Sequence, residues 1–177
     1  MAPIAPIASI APELKFRKAN VLDIPLIFNL FLEGSVDGAF ADRYLIATGP
    51  LKLFLWVVNA VFHWPDCLRK NTPRAQLHVI HKGEQDVGFA QLTHGTAPDG
   101  GATLTLALLA VAKDHQNQKF GTWAVATIIR EMPASTILEV YCTKYSRAMQ
   151  RLLHKQQFAR DKMMVNNLSR FSLRKAE

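Results

Sequence analysis

Cysteine is scarce in this chain: Cys67 and Cys142 are the only two among 177 residues. Two thiols cannot build the disulfide framework of a small secreted domain, so a reducing cytoplasm is the expected setting. No Cys-x-x-Cys or His-x-x-x-His pair occurs, and no metal site is expected. A long apolar run is also missing. The most hydrophobic segment, Leu51 to Trp64 (LKLFLWVVNAVFHW), has 14 residues, whereas a bilayer-crossing helix needs about 20. The first twelve residues, MAPIAPIASIAP, lack the charged start and apolar centre of a signal peptide. Their three prolines remove backbone donors and favour an extended chain, so residues 1–12 read as a disordered Pro/Ala/Ile lead. Acid is nearly absent from the last fifth: residues 144–177 carry nine basic and two acidic side chains, against twelve of each in residues 1–143. The whole excess of +7 therefore lies at that end. It forms either a face that helps hold an anionic cofactor or a docking surface for nucleic acid or an acidic protein.

With 49% hydrophobic content, residues 13–177 are enough for one domain with a real core. Residues 14–17 read as a first strand. Asn20 or Asp23 caps a helix with Pro25 in its first turn, showing Leu26, Ile27, Leu30 and Phe31 to the core. The stretch GSVDGAF follows as a loop. Leu51 to Trp64 reads as a buried helix, with a homodimer seam or the wall of an acceptor groove as alternatives. Residues 66–74 form an exposed connection. Residues 76–81 and 87–94 are strands of a hairpin, turning at Lys82-Gly83-Glu84-Gln85-Asp86.

The stretch from Leu104 to Met132, LTLALLAVAKDHQNQKFGTWAVATIIREM, organises the rest. Its first nine residues are a buried strand. From Phe120 the period changes, and Phe120, Trp123, Ala124, Thr127 and Ile128 share one helical face. A strand feeding a polar turn and then a helix directs unpaired N–H groups and the positive helix end at one point, which attracts phosphate. Beyond Pro133, TILEVYC (136–142) is a strand. Ser146 opens a further helix with Met149, Leu152 and Leu153 on its apolar side and Arg147, Arg151 and Lys155 on the other. Residues 161–173 supply the closing strands.

The run Val111-x-Lys113-Asp114-His115-Gln116-Asn117-Gln118-Lys119-Phe120-Gly121-Thr122 resembles the pyrophosphate loop of the GNAT superfamily of acyl-CoA-dependent N-acyltransferases. Gln116 and Gly121 fit that pattern. Lys119 stands where its first glycine is usual and Lys113 where its proline is usual. Lys119 lacks glycine's freedom at positive φ, so either the turn is altered or its ammonium meets a phosphate. A second run, Ser146-x-x-Met149-x-x-Leu152-Leu153-x-Lys155-x-Gln157-Phe158, is similar to the same family's following helix, with Ser146 in place of an asparagine. Gly88-Phe89-Ala90 sits where the family writes Val-Gly-hydrophobic.

The resemblance covers about residues 14–173. It implies an α/β (α+β) fold with a mixed, mostly antiparallel central sheet flanked by helices and a splay between the fourth and fifth strands. The implied cofactor is acetyl-CoA or another short acyl-CoA. Leu109, Ala110 and Val111 would pair with its pantetheine amides, Gln116, Asn117, Gln118, Lys119, Phe120, Gly121 and Thr122 would hold its pyrophosphate, and Ser146 would reach its pantetheine arm. Bulky Trp123 and Leu153 near the slot suggest a short acyl group.

Acyl transfer to an amine requires a neutral nucleophile, oxyanion stabilisation and often a proton donor for the leaving thiolate. The resemblance places a glutamate and a tyrosine at two positions where this chain has Thr105 and Leu153. Tyr141, Tyr145, His94 and His154 are the nearby substitutes, each with a structural explanation beside the catalytic one. Glu139 is either a base or a polar residue on the wetter face of a strand, and Cys142 reads as a buried thiol. No catalytic residue is assigned. The expected function is N-acyl transfer from acyl-CoA to a primary amine of a small molecule, a protein or an aminoacylated RNA. The alternative is a GNAT-like binding protein, without catalysis, that uses its groove or basic region for a partner.

Overall fold

A computed structural model of the chain describes residues 14–40, 49–62, 75–165 and 168–175. The expected lead at 1–12, the connection at 66–74, Cys67, His63 and Trp64 lie outside these residues. Among the described residues, seven strands form one sheet in the order β1-β2-β3-β4-β5-β7-β6. They are β1 (Leu14–Lys18), β2 (Ala75–Lys82), β3 (Gln85–Thr96), β4 (Ala102–Val111), β5 (Ile137–Cys142), β6 (Ala159–Val165) and β7 (Leu168–Arg174). Every neighbouring pair is antiparallel except β4 and β5, which run parallel. The helices α1 (Ile24–Val36), α2 (Gly49–Phe62), α3 (Phe120–Glu131) and α4 (Arg147–Lys155) cover the sheet. The mixed, mostly antiparallel sheet with flanking helices is the architecture that the resemblance implies.

Local chemistry accounts for the start of α1. The Asn20 side chain accepts from the Leu22 N–H at 2.8 Å, and Asp23 accepts from the Asn20 N–H at 2.6 Å, a reciprocal capping box around a 3-10 turn. Asn20, not Asp23, is the cap. Asp23 is instead gripped by Arg17 of β1, and Pro25 occupies the first turn of α1, where its missing N–H costs nothing. Helix α1 runs on through Gly34, Ser35 and Val36, which the sequence assigned to a loop; only residues 37–40 turn away. Ser35 is accommodated because its hydroxyl donates to the Phe31 carbonyl at 3.0 Å.

Two apolar layers follow from strand alternation. On one face α1 and α2 pack Ile27, Phe31, Leu53 and Val57 against Leu77, Val79 and Phe89. On the other, α3 and α4 pack Val125, Ile128 and Leu153 against Leu106, Leu138, Val140 and Phe171. Helix α2 is only half used. Leu53, Val57 and Val61 are buried, while Leu51, Phe54, Leu55 and Phe62 remain exposed at helical spacing. No helix of the described residues is long and apolar enough to cross a membrane.

Gly88 is a close-approach glycine. A Cβ built on it would lie 2.3 Å from the Ala110 carbonyl oxygen, a backbone atom of β4 that cannot swing aside. Overpacking of this kind costs about 1–3 kcal/mol. Gly88→Ala is therefore expected to lower the unfolding free energy by about that amount in urea melts; unchanged stability would show that the two strands do not meet so closely.

Candidate active site

Strand β4 is bonded to β3 along its length, from Thr96↔Ala102 to Gly88↔Val111. Its other edge pairs with β5 only from Thr103↔Ile137 to Leu106↔Val140. At that limit β4 carries an extra residue: Leu92 faces Leu106 and Gln91 faces Leu108, leaving Ala107 as a bulge. A bulge bends its strand and sharpens its twist. Beyond it β4 and β5 diverge, and a cleft of about 890 Å³ opens between them.

The walls of the cleft come from four places. Residues 106–111 of β4 and 140–142 of β5, with Thr143 just beyond it, form two sides. The turn into α3 and the start of α4 form the third. The fourth is apolar, made by Leu30, Phe31 and Phe40 with Trp56 of α2. Ten of the eleven expected site residues line this one space: Leu109, Ala110, Val111, Gln116, Asn117, Lys119, Phe120, Gly121, Thr122 and Ser146. Gln118 does not. Its side-chain amide donates to the Asp114 carbonyl at 3.1 Å, so it folds back onto its own turn.

The turn itself begins with a 3-10 segment at Lys113–His115. Gln116 donates its side-chain amide to the Val111 carbonyl at 3.2 Å, tying the turn to the end of β4. Asn117 and Lys119 both adopt left-handed backbone, at φ 62° and 64°. Lys119 thus takes the conformation that glycine adopts most easily. No side chain caps α3, and the first-turn N–H groups of Gly121 and Thr122 have no intrahelical acceptor. Gly121 is required neither by positive φ nor by packing, since an added Cβ would meet only Leu152 Cδ1 at an ordinary 3.6 Å. Glycine in a helix costs roughly 0.5–1 kcal/mol relative to alanine, and its placement here leaves the cleft wall bare.

Ser146 precedes α4 as expected, but its hydroxyl does not cap the helix. It donates to the Ala39 carbonyl at 3.2 Å and lies 3.0 Å from Thr143 Oγ1. Thr143 in turn donates to the Gly38 carbonyl at 2.9 Å. The chain beyond α1 is thereby fastened to the far side of the cleft. Nothing near Thr143 in sequence signals this tie, because its partner is 105 residues away.

The proposed substitutes for the missing acid and base separate clearly. His94 and His154 are exposed and do not line the cleft; His154 packs edge-on against Phe171. Tyr145 lines it but is 62% exposed, beneath Gly38. Tyr141 lines it and donates to Glu139 at 3.1 Å. Burial, then the Glu139 charge, hold the Tyr141 phenol above its ordinary range. Arg170 approaches the same carboxylate at 2.5 Å and Asp161 at 3.0 Å. Sequence reasoning missed Arg170, which only the pairing of Tyr141 with Arg170 across β5 and β7 brings here. Thr105 is the β4 partner of Glu139, and Leu153 is fully buried. Trp123 stacks on Phe16, with ring centroids 5.2 Å apart, and does not line the cleft. Neither Trp123 nor Leu153, which the sequence placed near the slot, lines the cleft; Phe31, Phe40 and Trp56 line its apolar wall.

A parted parallel strand pair, a helix start with bare amides and basic side chains at Lys113, Lys119 and Arg147 meet in one cleft. The family model described as the acetyltransferase (GNAT) family matches residues 46–158. That is more than half of the sequence, and the chain belongs to this family. Among solved structures it is similar to an acetyltransferase from Thermus thermophilus, with 18% identity over 90% of this chain and 96% of that one, at a TM-score of 0.65. It is similar to spermidine N-acetyltransferase from Vibrio cholerae in complex with CoA and spermine (12% identity, 91% and 95% covered, TM-score 0.63). RimL, a ribosomal L7/L12 alpha-N-protein acetyltransferase in complex with coenzyme A, is also similar (11% identity, 94% and 96% covered, TM-score 0.62). At these identities the likeness is one of fold. Comparison with curated proteins finds no match.

Cys142 is buried in the α3–α4 layer, and burial pushes its thiol up to about 12. It packs in the core under the cleft wall, and a thiol so held in its protonated form is a poor nucleophile. In a Cys67→Ser background, the native protein at pH 8 should leave Cys142 unmodified by a thiol reagent until urea unfolds it. Rapid native-state labelling would contradict the burial.

Proposed function

We propose that this chain is an N-acyltransferase that moves a short acyl group, most simply acetyl, from acyl-CoA to a primary amine. The observation that carries the reading is the cleft between β4 and β5, whose one end is the turn into α3. Residues 109–111 present a strand edge that β5 does not cover, suited to the amides of a pantetheine arm. The turn from Gln116 to Thr122, with its bare N–H groups, suits a diphosphate. Gly121 fits this use, because a backbone that no side chain shields allows phosphate oxygens to approach. Bound there, the acyl-CoA supplies the activated thioester. The protein orients it and excludes water, and orientation alone can account for about 7–11 kcal/mol of a barrier.

Arg147 lines the same cleft, which supports reading the basic excess as a complement to the anionic donor. The acceptor enters from the opposite side, and two structurally similar proteins are named for amine substrates, a polyamine and a protein N-terminus. A cytoplasmic setting agrees with the free thiol and the acyl-CoA donor. For oligomeric state, the exposed stripe of α2 offers a seam to a second copy. Leu55→Glu, at a position already 57% exposed, should convert a dimer to a monomer in sedimentation experiments; a monomeric parent protein would remove the seam.

Calorimetry with acetyl-CoA should give micromolar binding, and release of free CoA with a panel of primary amines should follow. Gly121→Asp should weaken acetyl-CoA binding at least tenfold by repelling phosphate. The same substitution places a carboxylate in the first turn of α3, which favours the helix itself, and a urea melt of the variant separates lost binding from unfolding. Undiminished affinity would place the phosphates elsewhere.

A further inference from the structure

Four side chains that the proposed donor contacts do not use, Tyr141, Glu139, Arg170 and Asp161, meet beside the closed end of the cleft. The β5–β7 register sets Tyr141 opposite Arg170, and the β4–β5 register sets Glu139 beside Thr105. Tyr141 is the first residue of β5 beyond its last pair with β4. A donor lying between the strands must stop there, because ahead of it Leu106 and Val140 are paired. The phenol of Tyr141 has one proton, and it is committed: Oη donates to Glu139 Oε2 at 3.1 Å. The remaining capacity of that oxygen is as an acceptor.

Glu139 is only 14% exposed and is held on its second oxygen by Arg170 Nη2 at 2.5 Å, while Arg170 Nη1 reaches Asp161 at 3.0 Å. Two carboxylates against one guanidinium leave the group with a single net negative charge. An amine that attacks a thioester gains positive charge on nitrogen as the bond forms. A hydrogen bond from that nitrogen to a phenol backed by negative charge strengthens on the way to the transition state, which is the condition for catalysis rather than mere binding.

We infer that Tyr141 is a catalytic residue whose oxygen accepts an N–H of the attacking amine, and that Glu139, clamped by Arg170, is a positioning residue that keeps the phenolic proton turned away. The inference rests on the transferase reading. As the C–N bond forms and the C–S bond breaks, the thiolate leaves with the bonding pair. The nitrogen loses its extra proton to water and the thiolate takes one from water, so Tyr141 and Glu139 end as they began.

The first test needs no acceptor. In protein labelled at tyrosine 13Cζ, with the three tyrosines assigned through Tyr141→Phe, the Tyr141 resonance should differ between the acetyl-CoA and CoA complexes. Identical spectra would overturn the assignment, whatever the kinetics show. The second test is turnover of acetyl-CoA with the best amine of the panel. Tyr141→Phe keeps the ring and should leave acetyl-CoA affinity within about twofold while lowering kcat/KM about 10- to 100-fold, the range of one charge-assisted hydrogen bond. Glu139→Gln should lower it as well, and the loss should vanish in the Tyr141→Phe background, because the two act as one unit. Full turnover by Tyr141→Phe would remove its role, and an undiminished Glu139→Gln effect in the double variant would make Glu139 merely structural. Failure of the parent protein to bind acetyl-CoA in the calorimeter would instead sink the transferase reading itself.

Discussion

One strand edge left unpaired organises the site. Between Leu106 and Val111, β4 keeps its bonds to β3 but, among the described residues, has no strand on its other side. Backbone groups in that position must be met by water or by a ligand. The bulge at Ala107 is what commits the chain to this arrangement. It also shifts the alternation of β4 by one residue: Leu104 and Leu106 before it, and Leu109 after it, pack toward α3, while Leu108 and Ala110 turn toward α1 and α2. Both helical layers stay filled while the sheet opens between them.

An open sheet edge invites closure, and two features oppose it here. Thr143 and Ser146, at the junction of β5 and α4, bond to the Gly38 and Ala39 carbonyls beyond α1. Tyr145 sits so near Gly38 that an added Cβ would lie 3.0 Å from its ring, at a residue whose φ is +71°. The α1 layer is therefore anchored across the mouth of the cleft. On the other side, Gln116 ties the turn into α3 to the end of β4.

Charge is divided along the same cleft. Lys113, Lys119 and Arg147 lie toward the turn and the start of α4, and Glu33 and Asp37 lie on the α1 side. Glu139 and Asp161 stand behind Tyr141, sharing Arg170. A polyanionic donor and a cationic acceptor would approach from different ends of such a field. Of the basic residues in the last fifth of the chain, Arg147 lies on the cleft wall, while Arg151 and Lys155 are exposed further along α4.

Much of this was written locally. Periodicity marked α3 and α4, alternation and turn residues marked the β2–β3 hairpin, and the polar run after Val111 marked the turn into α3, because each depends on neighbours within a few residues. The sequence alone therefore determined the order of elements, the family resemblance and ten of the residues around the cleft. What it did not determine were the features that depend on register between distant strands. The bulge at Ala107 is invisible without β3 opposite it, Arg170 meets Glu139 only through β5–β7 pairing, and Trp123 left the slot to stack on a ring of β1. Tertiary structure decided which tyrosine and which carboxylate stand at the closed end, since hydrogen-bonding geometry across a sheet is set by which strands lie side by side and not by their distance along the chain.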